Sequence, residues 1–224
     1  MASIEMAIIP VTIFKQNCTI LWESETRRCV VTDPGGEPGR IIDFMNRMQL
    51  RPELILLTHG HLDHAGGAKA LKGVFDEACA KAGVGPVPML GPDARDQFLL
   101  DSIETQAAHF NIGGMRNVTP DRFVTESEVI EMGSMRFEVL HCPGHTPGHV
   151  VFLERAAKLA LSGDVLFHNS VGRTDFDYGS HETLLESIRT KLLPLPDDIA
   201  ILCGHGPTTT LGAERASNPF LQGL

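Results

Sequence analysis

The sequence predicts an α/β protein in which two β-sheets pack together with helices on their outer sides, as one domain over 1–224. Three observations carry this. Short apolar, β-branched runs cluster in each half of the chain, and each cluster is accompanied by segments of helical periodicity. No internal repeat, low-complexity tract or charge block marks a linker between the halves.

Taken in order, Met6–Ile13 and Thr19–Trp22 are predicted strands, and Cys29–Thr32 is a third, closed by the turn Asp33-Pro34-Gly35-Gly36. After Pro38, the residues Ile41, Ile42, Phe44, Met45 and Met48 recur at helical spacing and predict a helix over 38–49. Leu54–Leu57 is a short buried strand that runs into Thr58-His59-Gly60-His61-Leu62-Asp63-His64, and Ala68–Ala82 reads as a helix. In the middle, Asp93–Phe110 sets Phe98, Leu99, Ile103 and Ala107 on one face and predicts a surface helix. Val129–Met132 and Met135–Leu140 form a strand pair about Gly133-Ser134, leading into His141-Cys142-Pro143-Gly144-His145. Val150–Leu153 and Leu159–Leu161 are further strands, the second feeding Ser162-Gly163-Asp164. His181–Leu193 is an amphipathic helix, and Ile199–Leu202 is a last strand opening into Gly204-His205-Gly206.

Composition narrows the class. A hydrophobic content of 42% excludes wholesale disorder. Nineteen Lys+Arg against 28 Asp+Glu leave a formal charge of −9, which argues against a sequence-independent nucleic-acid binder. No apolar run approaches the ~20 residues of a membrane span. The segment Met1–Glu5 lacks the basic stretch of a secretory leader, so no membrane partner is expected. The cysteines (Cys18, Cys29, Cys79, Cys142, Cys203) are odd in number, scattered and without a C-x-x-C pair. That spacing predicts reduced thiols and a cytoplasmic setting. The unusual count is ten histidines.

Their positions matter more than their number. His59, His61, Asp63 and His64 follow one predicted strand closely, while His145, Asp164 and His205 each follow another in a glycine-bearing turn. Ligand-type side chains therefore gather at strand ends, where layered α/β proteins bind their ligands. Alternate residues of an extended turn project to one side, so His59 and His61 can clasp one ion while Asp63 and His64 point toward a second. Seven such residues exceed the four of a closed structural zinc site, and sharing them between two ions leaves positions open for water and substrate. Mixed imidazole and carboxylate donors suit zinc, iron or manganese.

The motif H-x-H-x-D-H, followed by C-P-G-H-T-P-G-H, S-G-D and G-H-G, resembles the metallo-β-lactamase superfamily and, within it, the glyoxalase II (hydroxyacylglutathione hydrolase) branch. Gly172-Arg173-Thr174-Asp175-Phe176 and the tail from Gly204-His205-Gly206-Pro207 to Asn218-Pro219-Phe220-Leu221 are similar to its short bacterial YcbL-type members. The resemblance implies an αββα sandwich with the metals at one edge. It implies that His59, His61 and His145 hold one ion, that Asp63, His64 and His205 hold the other, and that Asp164 bridges them. Two divalent ions follow, zinc first, with iron or manganese as alternatives. The implied reaction is hydrolysis of a thioester such as S-D-lactoylglutathione by a metal-bridging hydroxide, with Asp63 as the hydroxide's hydrogen-bond acceptor.

Around this set, His149 and Asp33 are expected to support ligands from behind, and His168 to line the pocket. Arg173 is expected to meet the substrate, a small-molecule glutathione or other thiol ester. Two departures from two-domain glyoxalase II are visible: Asp175 stands where those enzymes carry a glutathione-holding tyrosine, and no C-terminal helical domain is expected after Leu224. A looser thioester site follows, with the insert 73–120 forming part of its wall. The rival reading is a mononuclear iron persulfide dioxygenase using His59, His145 and Asp164; lactone hydrolysis on the same site is a further alternative.

Overall fold

The computed structural model describes residues 3–224; Met1 and Ala2, part of the segment read above for a leader, lie outside the described residues. Five strands, β1 (Ile4–Val11), β2 (Gln16–Glu23), β3 (Arg28–Thr32), β4 (Arg51–Leu56) and β5 (Met89–Leu90), form the first sheet in chain order. The first three pair antiparallel, but β3–β4 and β4–β5 are parallel. A parallel pair needs a crossover: α1 (Pro38–Arg47) supplies one, and α2 (Leu62–Ala65) with α3 (Ala68–Ala82) supplies the other.

The second sheet is built from β6 (Val129–Met132), β7 (Met135–His141), β8 (Val150–Glu154), β9 (Leu159–Gly163), β12 (Ala200–Cys203) and β13 (Thr209–Thr210). Its spatial order is β13–β12–β9–β8–β7–β6, with β9 and β12 parallel. A small ladder of β10 (Leu166–Phe167) and β11 (Ser170–Val171) sits apart from both sheets.

Side-chain alternation explains the layering. In β3, Cys29 and Val31 join the cluster containing Ile41 of α1 and Leu71 of α3, whereas Val30 joins the cluster between the sheets. In β8, Val151 and Leu153 pack with Leu184 of α6 (His181–Ser187) and Leu211 of α7 (Leu211–Ser217), while Val150 and Phe152 turn inward. The inner layer thus joins Leu21, Val30 and Leu56 to Phe137, Val139 and Phe152. Burying each such side chain contributes ~1.5–3 kcal/mol, which holds the sheets face to face. The result is the α/β sandwich of two sheets, helices outside, that the apolar runs predict.

Strand direction then assembles one edge. The C-terminal ends of β3 and β4 point the same way, as do those of β7, β9 and β12. The two sets meet where the Val150 N–H donates to the Thr58 carbonyl at 2.8 Å and Asn17 Nδ2 donates to the Cys203 carbonyl at 3.0 Å.

Two predicted helices are interrupted. Asp93–Phe110 is a 3₁₀ turn (Ala94–Asp96), then α4 (Gln97–Leu100) and α5 (Ile103–His109). The Asp93 carboxylate takes the Arg95 N–H at 3.0 Å and caps the start of the segment, whereas Ser102 Oγ donates to the Leu99 carbonyl at 3.0 Å at the break between α4 and α5, a bond that competes with a continuous helix. His181–Leu193 becomes α6 followed by a π-helical turn (Ile188–Leu192), with Leu193 N–H bonded to the Ile188 carbonyl. The two-residue strands β5, β10, β11 and β13 are too short to show a period, and α7 also went unpredicted.

Candidate metal centre

The chain delivers the seven residues from four turns and one short helix at that edge. His59 and His61 lie between β4 and α2, Asp63 and His64 in α2, His145 between β7 and β8, Asp164 after β9 and His205 after β12. Gly204 permits the close approach of the last two turns, since a Cβ there would sit 2.2 Å from Asp164 Oδ1.

His59, His61 and His145 converge. His61 Nδ1 lies 3.1 Å from His59 Nε2 and 2.9 Å from His145 Nε2. The outer nitrogen of each ring is occupied. His145 Nδ1 donates to the Arg173 carbonyl at 2.7 Å, and a carbonyl can only accept, so the His145 Nε2 lone pair faces inward. The Thr58 hydroxyl donates to Asp33 Oδ2 at 2.6 Å and lies 3.0 Å from His59 Nδ1, which leaves it to accept from that nitrogen. His59 Nε2 therefore also presents a lone pair. Burial and the neighbouring imidazoles hold all three rings neutral: His61 is lowered to about 3, His59 falls well below the ordinary histidine range, and His145 is lowered despite Asp164. Lone pairs packed this closely repel one another unless a cation lies between them.

A second group forms beside the first. His64 Nδ1 is 2.9 Å from Asp33 Oδ2, and its Nε2 is 3.2 Å from Asp164 Oδ1. The other Asp164 oxygen lies 3.5 Å from His145 Nε2 and 3.7 Å from His205 Nε2, so this carboxylate stands between the groups. Asp63 Oδ2 is 3.2 Å from His205 Nε2. Burial alone would raise the Asp164 carboxyl, but His64, His145 and His205 hold it well below the usual range. Burial would lower His64, but Asp164, Asp33 and Asp63 raise it well above the ordinary value. His64 Nε2 and Asp164 Oδ1 are buried without a hydrogen-bond partner and face each other. An unpartnered nitrogen and oxygen aimed into one space fit a metal ion.

Behind these groups, Asp33 takes the Thr58 N–H at 2.7 Å as well as the Thr58 hydroxyl and His64. His149 stacks on His59, with ring centroids 4.6 Å apart, and its Nε2 accepts the Asp164 N–H at 3.0 Å. Three residues outside the sequence-based set also belong here. Thr58 relays Asp33 to His59. Asp96, fully buried, accepts the Gly60 N–H at 2.9 Å, the Thr146 hydroxyl at 2.7 Å and the Gly148 N–H at 2.5 Å, bracing both histidine loops. Burial pushes its carboxyl up to about 6 against the lowering effect of those three donors. Tyr178 places its hydroxyl 2.9 Å from His61 Nε2. Thr58 adjoins the histidine motif in sequence, but no local pattern marks Asp96 or Tyr178.

A cleft of ≈630 Å³ opens over both groups, walled by Phe14, Phe110, Phe176 and Tyr178, with Gln106 and Arg173 at its side. Gln106 and Phe110 come from the insert 73–120. Arg173 donates to both carboxylate oxygens of Asp175, at 2.9 and 3.1 Å, and its guanidinium lies 4.9 Å from the Phe176 ring centroid. His168 departs from expectation. It is half exposed and faces Glu214 Oε1 at 3.4 Å, away from the residues that line the cleft.

A two-sheet sandwich with a metal-binding His/Asp cluster at one edge defines the class, and the comparisons agree: the chain belongs to the metallo-β-lactamase superfamily, whose model matches residues 11–205. It is 47% identical over 215 residues to hydroxyacylglutathione hydrolase GloC of Haemophilus influenzae, covering 96% of each chain. Among solved structures, it is similar to the B3 metallo-β-lactamase BLEG-1 (TM-score 0.84, 33% identity, 98% of this chain and 100% of that one). It is also similar to TTHA1623 in a di-iron-bound form (TM-score 0.82, 32% identity, 96% of this chain and 100% of that one).

Proposed function

We propose that the protein is a metal-dependent thioester hydrolase of the glyoxalase II type, acting on S-D-lactoylglutathione or a related thiol ester. His59, His61 and His145 would hold one divalent ion and Asp63, His64 and His205 a second, with Asp164 a donor within reach of both groups. Zinc is the first candidate, and iron or manganese would accept the same donors. The observation that carries this reading is the pair of adjoining His/Asp groups, the first with inward lone pairs, and one carboxylate between them. The similarity to a relative named hydroxyacylglutathione hydrolase supports the substrate class.

When bound, such ions supply a water-derived nucleophile near neutral pH and an electrophile for the substrate carbonyl. The chain's own residues do the rest. Asp33, Thr58 and the Arg173 carbonyl set the tautomers of His64, His59 and His145. Asp63 lines the cleft, where its carboxylate would accept a hydrogen bond from the attacking water. Aromatic rings wall the cleft, and a thiol leaving group (pKa ~8.5) needs little protonation. Arg173 and Asp175 are both exposed, so their pair is weak and opens readily for an anionic substrate.

The continuous core between the sheets supports reading 1–224 as one hydrolase domain. Among the described residues no helix is long and apolar enough to cross a membrane, and all five cysteines are free, which supports a reducing, cytoplasmic setting. The test pairs metal content with two assays on the purified protein: cleavage of S-D-lactoylglutathione and oxygen consumption on glutathione persulfide. We expect two ions per chain and hydrolysis that a chelator abolishes and metal restores. Rapid oxygen uptake with one iron per chain, and no thioester cleavage, would overturn the reading.

A further inference from the structure

We propose that Glu214 is a positioning residue: its buried carboxylate, with the Asn218 amide, holds the β10–β11 hairpin in place as a wall of the substrate cleft. The assignment rests on the hydrolase reading above. Phe167, Ser170 and Val171 of that hairpin line the cleft, and the Phe167 ring centroid lies 6.3 Å from that of His205. The hairpin belongs to neither sheet, and its own ladder is two residue pairs, Leu166–Val171 and Phe167–Ser170. So short a ladder does not hold its shape unaided.

The support comes from α7 and the residue that follows it. Glu214 is fully buried, and burying a carboxylate is costly unless its oxygens are bonded. Its Oε2 accepts the Asn169 N–H and one Asn218 Nδ2 hydrogen, both at 2.8 Å. Its Oε1 accepts the Thr209 hydroxyl at 2.6 Å and faces His168 Nδ1 at 3.4 Å. The second Nδ2 hydrogen of Asn218 goes to the Ser170 carbonyl at 3.0 Å, and its Oδ1 takes the Phe220 N–H at 3.0 Å. Glu214 thus grips the hairpin tip with one oxygen and Thr209 of β13, four residues beyond His205, with the other.

The base of the hairpin is fixed separately. Leu166 and Val171 are buried in the cluster that contains Leu211, the Gly172 N–H donates to the Val165 carbonyl at 3.3 Å, and the Asp164 N–H is held by His149 Nε2. Loosening the tip therefore moves Phe167 and Ser170 while Asp164 keeps its place among the donors. The signature is weaker substrate binding with the metals retained.

Hydrogen-bond accounting separates two substitutions. In Glu214→Ala the Asn169 N–H, the Asn218 amide and the Thr209 hydroxyl all lose their acceptor. In Glu214→Gln an amide oxygen in place of Oε2 keeps the first two, and the NH₂ in place of Oε1 donates to the Thr209 hydroxyl, which also accepts. The conservative variant should therefore preserve the wall.

The test compares metal-loaded wild type, Glu214→Ala, Glu214→Gln and Asn218→Ala below their melting temperatures. Glu23→Gln, which weakens a carboxylate bonded to Ser134 outside the cleft, is the control for lost stability. We expect both alanine variants to raise KM for S-D-lactoylglutathione about three- to tenfold, with kcat within about twofold and metal content unchanged. Glu214→Gln and Glu23→Gln should keep the wild-type KM. Amide exchange over 166–171 should quicken in the alanine variants and not in Glu214→Gln. Should Glu214→Ala fail to fold, Asn218→Ala carries the same comparison. An unchanged KM or unchanged exchange in the folded alanine variants would overturn the assignment. So would an equal KM rise in Glu23→Gln, a Glu214→Gln variant as impaired as Glu214→Ala, or metal loss in step with kcat. A wild type that cleaves no thioester would instead overturn the hydrolase reading, while the exchange comparison would still judge the hairpin's support.

Discussion

Asp33 Oδ2 lies 2.9 Å from His64 Nδ1, tying the end of β3 to α2. The same oxygen takes the Thr58 hydroxyl, which reaches His59 Nδ1 at 3.0 Å. One carboxylate thus orients an imidazole in each donor group. In Asp33→Asn, an amide NH₂ in place of Oδ2 would confront two donors and force His64 into the other tautomer. We expect metal affinity to fall about 10- to 100-fold, read by titration of the chelated protein. Unchanged affinity would remove Asp33 from this role.

Asp96 joins the His59–His61 loop to the His145 loop through three accepted hydrogen bonds. Asp96→Asn leaves at least one buried donor unpaired and should cost about 1–3 kcal/mol in denaturant unfolding. Because the two loops then drift, metal content should fall with it. A variant as stable as wild type, with full metal content, would contradict the bracing role.

At Gly35, an added Cβ would lie 1.4 Å from the Asp63 carbonyl oxygen, and backbone cannot swing aside as a side chain can. Gly35→Ala is expected to displace Asp63 and to lower bound metal from two ions per chain toward one, with at least about a hundredfold loss of turnover where the fold survives. Gly39 is the control. It lies in α1 with nothing within 4 Å, so Gly39→Ala should be neutral or stabilising by roughly 0.5–1 kcal/mol. Two bound ions and wild-type rates in Gly35→Ala would refute the steric account.

Glu23 ties the first sheet to the turn between β6 and β7. Its carboxylate accepts the Thr26 hydroxyl, the Ser134 N–H at 2.6 Å and the Ser134 hydroxyl at 2.7 Å. These bonds lower its pKa from 4.5 to about 2. Because the folded value lies below the unfolded one, the stabilisation is complete above about pH 5 and is lost as pH falls toward 2. Glu23→Gln, which keeps one acceptor oxygen but loses the charge, should cost about 1–3 kcal/mol at pH 7. Urea unfolding at pH 7 and pH 3 checks this: the gap between wild type and variant must narrow at the lower pH, and a constant gap would rule it out.

Much of the candidate site was legible because it is local in the chain. His59, His61, Asp63 and His64 lie within one short segment, and His145, Asp164 and His205 each follow an apolar run such as Leu159–Leu161 that can only be a buried strand. The layered fold was legible for a related reason, since β4 and β8 carry apolar residues toward both faces. The Asp93–Phe110 segment was less legible. Its apolar spacing is helical, but it breaks at Asp101–Ser102, where the Ser102 hydroxyl bonds the Leu99 carbonyl, and the polar Asp96 is buried by its bonds to Gly60, Thr146 and Gly148.

The sequence by itself determined the donor types, their order and the strand ends that carry them, because those depend on spacing within single segments. Only the tertiary structure decided which nitrogen of each imidazole faces inward, that Asp96 braces Gly60 and Gly148 from 36 and 52 residues away, and that Tyr178 reaches His61 across 117 residues. Hydrogen bonds of that kind depend on where sheet pairing brings distant turns together, and no periodicity within one segment encodes it.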